Sequence, residues 1–124
     1  MTTPQKILMI DDDSFFTSII AAAFKKNGFE VLSATSGPTG LEIARSEKPN
    51  LVLLDLAMAG TDGYATLKGL KADPATAHAP VVILSSLNAD EEIERARVSG
   101  AADFLVKMNH TPEQLVTRVK ELLA

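Results

Sequence analysis

The 124-residue chain has no cysteine and no tryptophan, a single tyrosine, and only 5% aromatic residues. Without thiols, disulfide staples, thiolate nucleophiles and cysteine-based zinc sites are excluded together. The two histidines, His78 and His110, stand far apart and offer no local metal-ligand spacing. Basic residues are outnumbered, 12 Lys and Arg against 16 Asp and Glu, for a formal net charge of −4. With no basic cluster and few rings to stack on bases, direct nucleic-acid binding is not expected. No apolar run approaches the ~20 residues that span a bilayer, and the N-terminus lacks the long apolar core of a signal peptide. The expectation is a cytoplasmic protein without membrane association. At this length the chain is expected to form one domain, 1–124, with a core that buries roughly two-thirds of the unfolded surface.

What is present is a regular alternation. Ile7-Leu8-Met9-Ile10, Leu51-Val52-Leu53-Leu54 and Val81-Val82-Ile83-Leu84 are continuous apolar runs, the pattern of strands buried on both faces. Phe29 to Ala34 and Phe104-Leu105-Val106 read as two further strands. Between and after them lie helical patterns: Asp11 to Lys26 stopped by Asn27-Gly28, a helix capped by Ser36 and ended before Pro49, about Tyr64 to Lys71, about Asp90 to Ser99 closed by Gly100, and a last one opened by Thr111-Pro112-Glu113-Gln114. The last start combines a Thr N-cap, Pro at the first helical position and a Gln placed to complete a capping box. Five β-α units predict an α/β fold, a doubly wound five-stranded parallel sheet; right-handed crossovers leave few topologies, among them the order 2-1-3-4-5, which puts strands 1 and 3 together at the switch point.

In such a sheet ligands bind beyond the carboxyl ends of the strands. The residues there are Asp11, Asp12 and Asp13 after strand 1, Asp55 after strand 3, Ser85 and Ser86 after strand 4, and Lys107 after strand 5. Converging carboxylates repel one another, so either their pKa values rise or a cation settles among them. All-oxygen ligands with room for water suit Mg²⁺. Acids that hold a metal beside a hydroxyl and a lysine form a receptacle for a phosphoryl group, and a carboxylate is the available nucleophile.

The series Ile10-Asp11-Asp12-Asp13, Leu53-Leu54-Asp55, Gly60-Thr61-Asp62-Gly63, Leu84-Ser85-Ser86 and Phe104-Leu105-Val106-Lys107 resembles the receiver domain of two-component response regulators, from about Lys6 to Leu123. The resemblance implies a (βα)5 flavodoxin-like fold of the single-domain chemotaxis kind. It implies that Asp55 accepts the phosphoryl group, that Asp11, Asp12, Asp55 and the Ala57 carbonyl serve Mg²⁺, with Asp11 acting mainly through water, and that Ser85 and Lys107 bind the phosphoryl oxygens. Ser85 and Phe104 match the family's switch positions, coupling the site to the helix 4–strand 5–helix 5 face. The partners so implied are a histidine kinase or histidine phosphotransfer protein and a downstream protein effector, with the chain a monomer or a phosphorylation-dependent dimer. It would then be no enzyme beyond self-catalysed phosphotransfer and autodephosphorylation.

Two positions depart from the family pattern. Met108 follows Lys107 where a cis-proline is usual, and Ala59 stands where a proline commonly follows the acceptor by four residues. The family also tunes dephosphorylation through the side chains two beyond the acceptor and two beyond the hydroxyl. These are Ala57 and Leu87 here, neither able to orient water, which implies a long-lived phosphoryl state.

On helix 1, Phe16, Ile20, Ala23 and Phe24 form a core stripe at helical spacing. Phe15 and Ile19 fall on a second face, and with Met108 they make a candidate docking patch for the phosphoryl donor, unless they pack against the loop after strand 5. Two other functions compete. A haloacid-dehalogenase-type phosphohydrolase would use Asp11 of the Asp-x-Asp sequence as nucleophile, although Phe15 occupies the usual Thr or Val position and 124 residues leave no room for a cap domain. A phosphorylation-independent binding module would use the fold alone. A flavodoxin-like cofactor binder is excluded, because three Asp after strand 1 repel the phosphate such a loop must cradle.

Overall fold

The computed structural model describes residues 3–58, 62–86 and 90–124. Ala59, Gly60, Thr61 and Leu87 of the sequence reading lie outside them. Five parallel strands, β1 (Lys6–Ile10), β2 (Glu30–Ala34), β3 (Leu51–Asp55), β4 (Val81–Ser85) and β5 (Asp103–Val106), form one sheet in the order β2-β1-β3-β4-β5. They alternate with α1 (Ser14–Lys26), α2 (Gly37–Glu47), α3 (Gly63–Ala72), α4 (Asp90–Val98) and α5 (Pro112–Leu123). The expected architecture is therefore observed.

Strand periodicity of two divides the core between the two faces of the sheet. Ile7, Met9, Leu51, Leu53, Val82, Leu84 and Leu105 pack with Ile20, Ala23 and Phe24 of α1 and Leu115, Val116 and Val119 of α5. Leu8, Ile10, Val52, Leu54, Val81 and Ile83 pack on the other face with Ala44 of α2, Leu67 and Leu70 of α3, and Ala96 of α4. Among the described residues no helix is long and apolar enough to cross a membrane.

Several boundaries differ from the sequence reading. Helix α1 begins at Ser14, not Asp11. The Asp11 amide extends the sheet ladder to the Ala34 carbonyl at 3.0 Å, and Asp13 caps the helix by accepting from the Phe16 amide at 3.0 Å. Phe29 precedes β2 and is buried edge-to-face on Phe24, with ring centroids 5.4 Å apart. Asp55 and Ser85 are the last residues of their strands rather than the first beyond them. Gly28 takes φ 89° at the α1–β2 turn, the left-handed conformation expected of it. The capping box on α5 forms as its sequence predicts, Thr111 accepting from the Gln114 amide and Gln114 accepting from the Thr111 amide.

Candidate functional site

Sheet register assembles the site. Ile10 pairs with Leu54, so Asp11 and Asp55 emerge level from β1 and β3, where the chain connections diverge. Asp55 pairs with Leu84, which sets Ser85 one residue further along. Ser85 pairs with Val106, which sets Lys107 one further again. The functional edge rises by one residue per strand from β3 to β5, and the long Lys107 side chain leans back across it.

Lys107 Nζ lies 2.8 Å from Asp11 Oδ2 and 3.6 Å from Asp55 Oδ2. The other Asp11 oxygen accepts from the Asp13 amide at 2.9 Å, and Asp55 Oδ1 accepts from the Ala57 amide at 3.0 Å. Asp11 and Asp55 are buried while Asp12 is exposed, and carboxylate oxygens of all three lie within 4.8 Å of one another. Like charges at that separation repel by roughly 3 kcal/mol at an effective dielectric of about 20. Burial pushes the Asp55 carboxyl above its ordinary value; the Ala57 hydrogen bond opposes this, the Asp11 charge adds to it, and Lys107 offsets part of it. Burial draws Lys107 down, but the Asp11 hydrogen bond and the charges of Asp55, Asp11 and Asp13 leave its pKa raised.

The donor set fits a hard divalent cation. Three carboxylates supply only oxygen, and the exposed Asp12 leaves a side open to water. Mg²⁺ bonds oxygen at about 2.0–2.1 Å and keeps part of its water shell, so carboxylate oxygens gathered this closely could hold it directly or through water.

Ser85 is buried at the end of β4 and shares a sheet face with Ile83, whose β5 partner is Phe104. Phe104 is half-buried and packs against the core shared with α4. The β5–α5 connection holds no cis peptide; Lys107–Asn109 form a 3-10 turn that the sequence reading missed, followed by His110, whose Nδ1 lies 3.1 Å from the Val106 carbonyl.

Phe15, Ile19 and Met108 are exposed, at 77%, 43% and 89%. Phe16 packs against the core, as its place in the stripe predicts, and also meets the loop after β5. Phe16 is half-buried and carries the Lys107 ammonium 4.4 Å from its ring centroid. That cation–π contact was not foreseen. Its only sequence signal is the position of Phe16 in the first turn of the helix that Asp13 caps.

The family model described as response regulator receiver domain matches residues 7–120. The response regulator PleD of Caulobacter vibrioides is 37% identical over 82% of the chain, which spans 22% of PleD. Protein PilH of Pseudomonas aeruginosa is 33% identical, with 82% of the chain and 84% of PilH covered. The beryllofluoride-activated N-terminal receiver domain of Klebsiella pneumoniae RstA superposes with a TM-score of 0.87 at 31% identity, covering 96% of this chain and 98% of that one. A chemotaxis protein, CheY4 of Vibrio cholerae, superposes at 0.91 with 22% identity over 98% of this chain and all of its own, a likeness of fold.

Proposed function

As the chain belongs to the response regulator receiver domain family, we propose that Asp55 accepts a phosphoryl group from the phosphohistidine of a kinase or phosphotransfer protein. A carboxylate oxygen of Asp55 attacks phosphorus, the phosphorus–nitrogen bond breaks, and the electron pair leaves with the imidazole, producing an acyl phosphate. The observation that carries this reading is the placement of Asp55: buried, aimed by the Ala57 amide, beside Lys107 and inside the three-carboxylate cluster.

Asp12, Asp55 and the Ala57 carbonyl would hold Mg²⁺, with Asp11 acting mainly through water. The bound ion would supply positive charge to the transferring oxygens. Lys107 neutralises the phosphoryl group, and the Ser85 hydroxyl hydrogen-bonds one of its oxygens. The same sheet face then couples Ser85 to Phe104 and the α4–β5–α5 surface read by an effector. Lys107 is hydrogen-bonded to Asp11 at 2.8 Å but stands 3.6 Å from Asp55, so Asp11 is the more firmly neutralised of the two and the weaker nucleophile. That arrangement counts against the hydrolase reading.

The test is incubation with Mg²⁺ and a small phosphoryl donor, followed by intact mass and peptide mapping, with Asp55→Asn in parallel. One phosphoryl group on Asp55, absent from the variant and absent without Mg²⁺, is the expected result. Label on Asp11 would move the protein to the hydrolases. No label from either a small donor or a kinase would leave a phosphorylation-independent binding module.

A further inference from the structure

We propose that Tyr64 is a positioning residue that ties α4 to the loop bearing the phosphoryl acceptor, a connection separate from Ser85 and Phe104. The proposal rests on the acceptor reading above.

Helix α4 is weakly anchored by apolar contact. Ala96 is its one buried residue among those described, whereas Ile93 and Val98 are 37% and 71% exposed. Arg97 turns to Glu94 on the same helix instead of bracing α4 against the body. Tyr64 makes a polar tie from α3 to α4. Its hydroxyl donates to the Glu92 carboxylate and lies 3.3 Å from the Glu92 carbonyl, while the Arg95 guanidinium stacks 3.8 Å from the ring centroid. Glu92 and Arg95 are three apart and thus neighbours on one face of the helix. One aromatic ring therefore meets two successive turns of α4.

At its other end Tyr64 is held close to the acceptor. Its amide donates to Asp62, the N-cap of α3, at 2.9 Å. Gly63 presses on the residue that follows Asp55: a Cβ at Gly63 would stand 2.6 Å from Leu56 Cα, a distance real side chains essentially never adopt. A shift of the backbone just after Asp55 thus moves the start of α3, and the ring carries that motion to Glu92 and Arg95. Burial and the Glu92 carboxylate push the Tyr64 phenol up to about 12, which keeps its hydroxyl a donor over the working pH range.

The experiment exploits composition. Tyr64 is the single tyrosine and there is no tryptophan, so ultraviolet emission reports this one contact. The full chain is titrated with Mg²⁺ and beryllium fluoride, loading is followed by fluorine NMR, and hydrogen exchange is read on the α4 amides. We expect Tyr64 emission to change on loading. The loading-induced change in α4 exchange should fall by about half or more in Tyr64→Phe and in Glu92→Ala, with loading itself retained. Glu92→Gln, which keeps an acceptor for the hydroxyl, should restore the response. Loading with unchanged Tyr64 emission, or an equal α4 response in Tyr64→Phe, overturns the coupling and leaves the acceptor reading intact. No beryllofluoride signal together with no phosphoryl group on Asp55 overturns both.

Discussion

Lys107 lies closer to Asp11 than to Asp55, 2.8 Å against 3.6 Å, although Asp11 is 96 positions away in the chain. One ammonium thus serves two buried carboxylates, hydrogen-bonded to the first and within ion-pair distance of the second. A phosphoryl group arriving at Asp55 would find that charge close by and already oriented by the Asp11 hydrogen bond and the Phe16 ring.

Replacing Lys107 by Ala leaves two buried carboxylates without their counter-charge. The expected cost is about 3 kcal/mol at neutral pH, in the range for breaking a buried pair from one side. It should shrink as pH falls through the raised Asp55 pKa, because a protonated Asp55 needs no counter-charge. Urea unfolding at pH 7 and pH 4 checks this; equal deficits at both would contradict it.

For Asp55 the sign is opposite to that of an ordinary salt-bridged acid. Its carboxyl pKa is raised in the fold, so the folded state holds a proton that the unfolded state releases, and stability is lost as pH rises from the ordinary carboxylate value through the raised one. Asp55→Asn should therefore melt higher than the parent at pH 7 without divalent ions, with the advantage vanishing near pH 4 and below. Added Mg²⁺ should raise the parent's melting temperature more than the variant's, since a ligand of the native state stabilises by mass action. Thermal melts over pH 4–8 with and without Mg²⁺ decide the matter.

Tyr64 should titrate late. Phenolate absorbance near 295 nm is expected to rise with a midpoint of about 12 instead of the ordinary 10, and Glu92→Ala should bring the midpoint back toward 10. Between these values the unfolded state loses a proton the folded state keeps, so stability falls with rising pH across that window. A midpoint at 10 in the folded parent would show that the hydroxyl is not held by Glu92.

The exposed Phe15 side chain carries little of the fold. Phe15→Asp should alter stability by no more than about 0.5 kcal/mol and leave labelling by a small phosphoryl donor unchanged. Transfer from a phosphohistidine protein should slow about tenfold, equivalent to about 1.4 kcal/mol of lost docking energy. An unchanged rate from the protein donor removes Phe15, and with it the Phe15–Ile19–Met108 patch, from the docking surface.

Ala57, at the exposed rim of the site, and Leu87 bring no group that orients water. The acyl phosphate on Asp55 is expected to be long-lived, and Ala57→Asn combined with Leu87→Glu should shorten its half-life about tenfold or more. Loss of acid-labile phosphate with time measures it. An unaltered half-life would show that another feature governs hydrolysis.

The sequence by itself determined where the five strands lie to within a residue or so, their alternation with helices and the identity of the acids, because apolar runs, helix stops and caps act over a few neighbouring residues. The capping box of Thr111 and Gln114 and the turn at Gly28 are local in that sense, and both formed as read. Register then followed from burial on two faces, and it brought Asp11, Asp55, Ser85 and Lys107 to one edge.

Tertiary structure decided what depends on contacts between distant segments. Asp11 was drawn out of α1 because its amide has a sheet partner in Ala34. The Phe16 ring, inward by its place in the helical stripe, also meets the Lys107 ammonium, 91 positions away, because the β5–α5 connection passes over it. The Tyr64–Glu92–Arg95 contact joins side chains about 30 positions apart on two different helices. No periodicity encodes such meetings: they depend on how two crossovers settle on the same sheet, and on which rotamers the space between them admits.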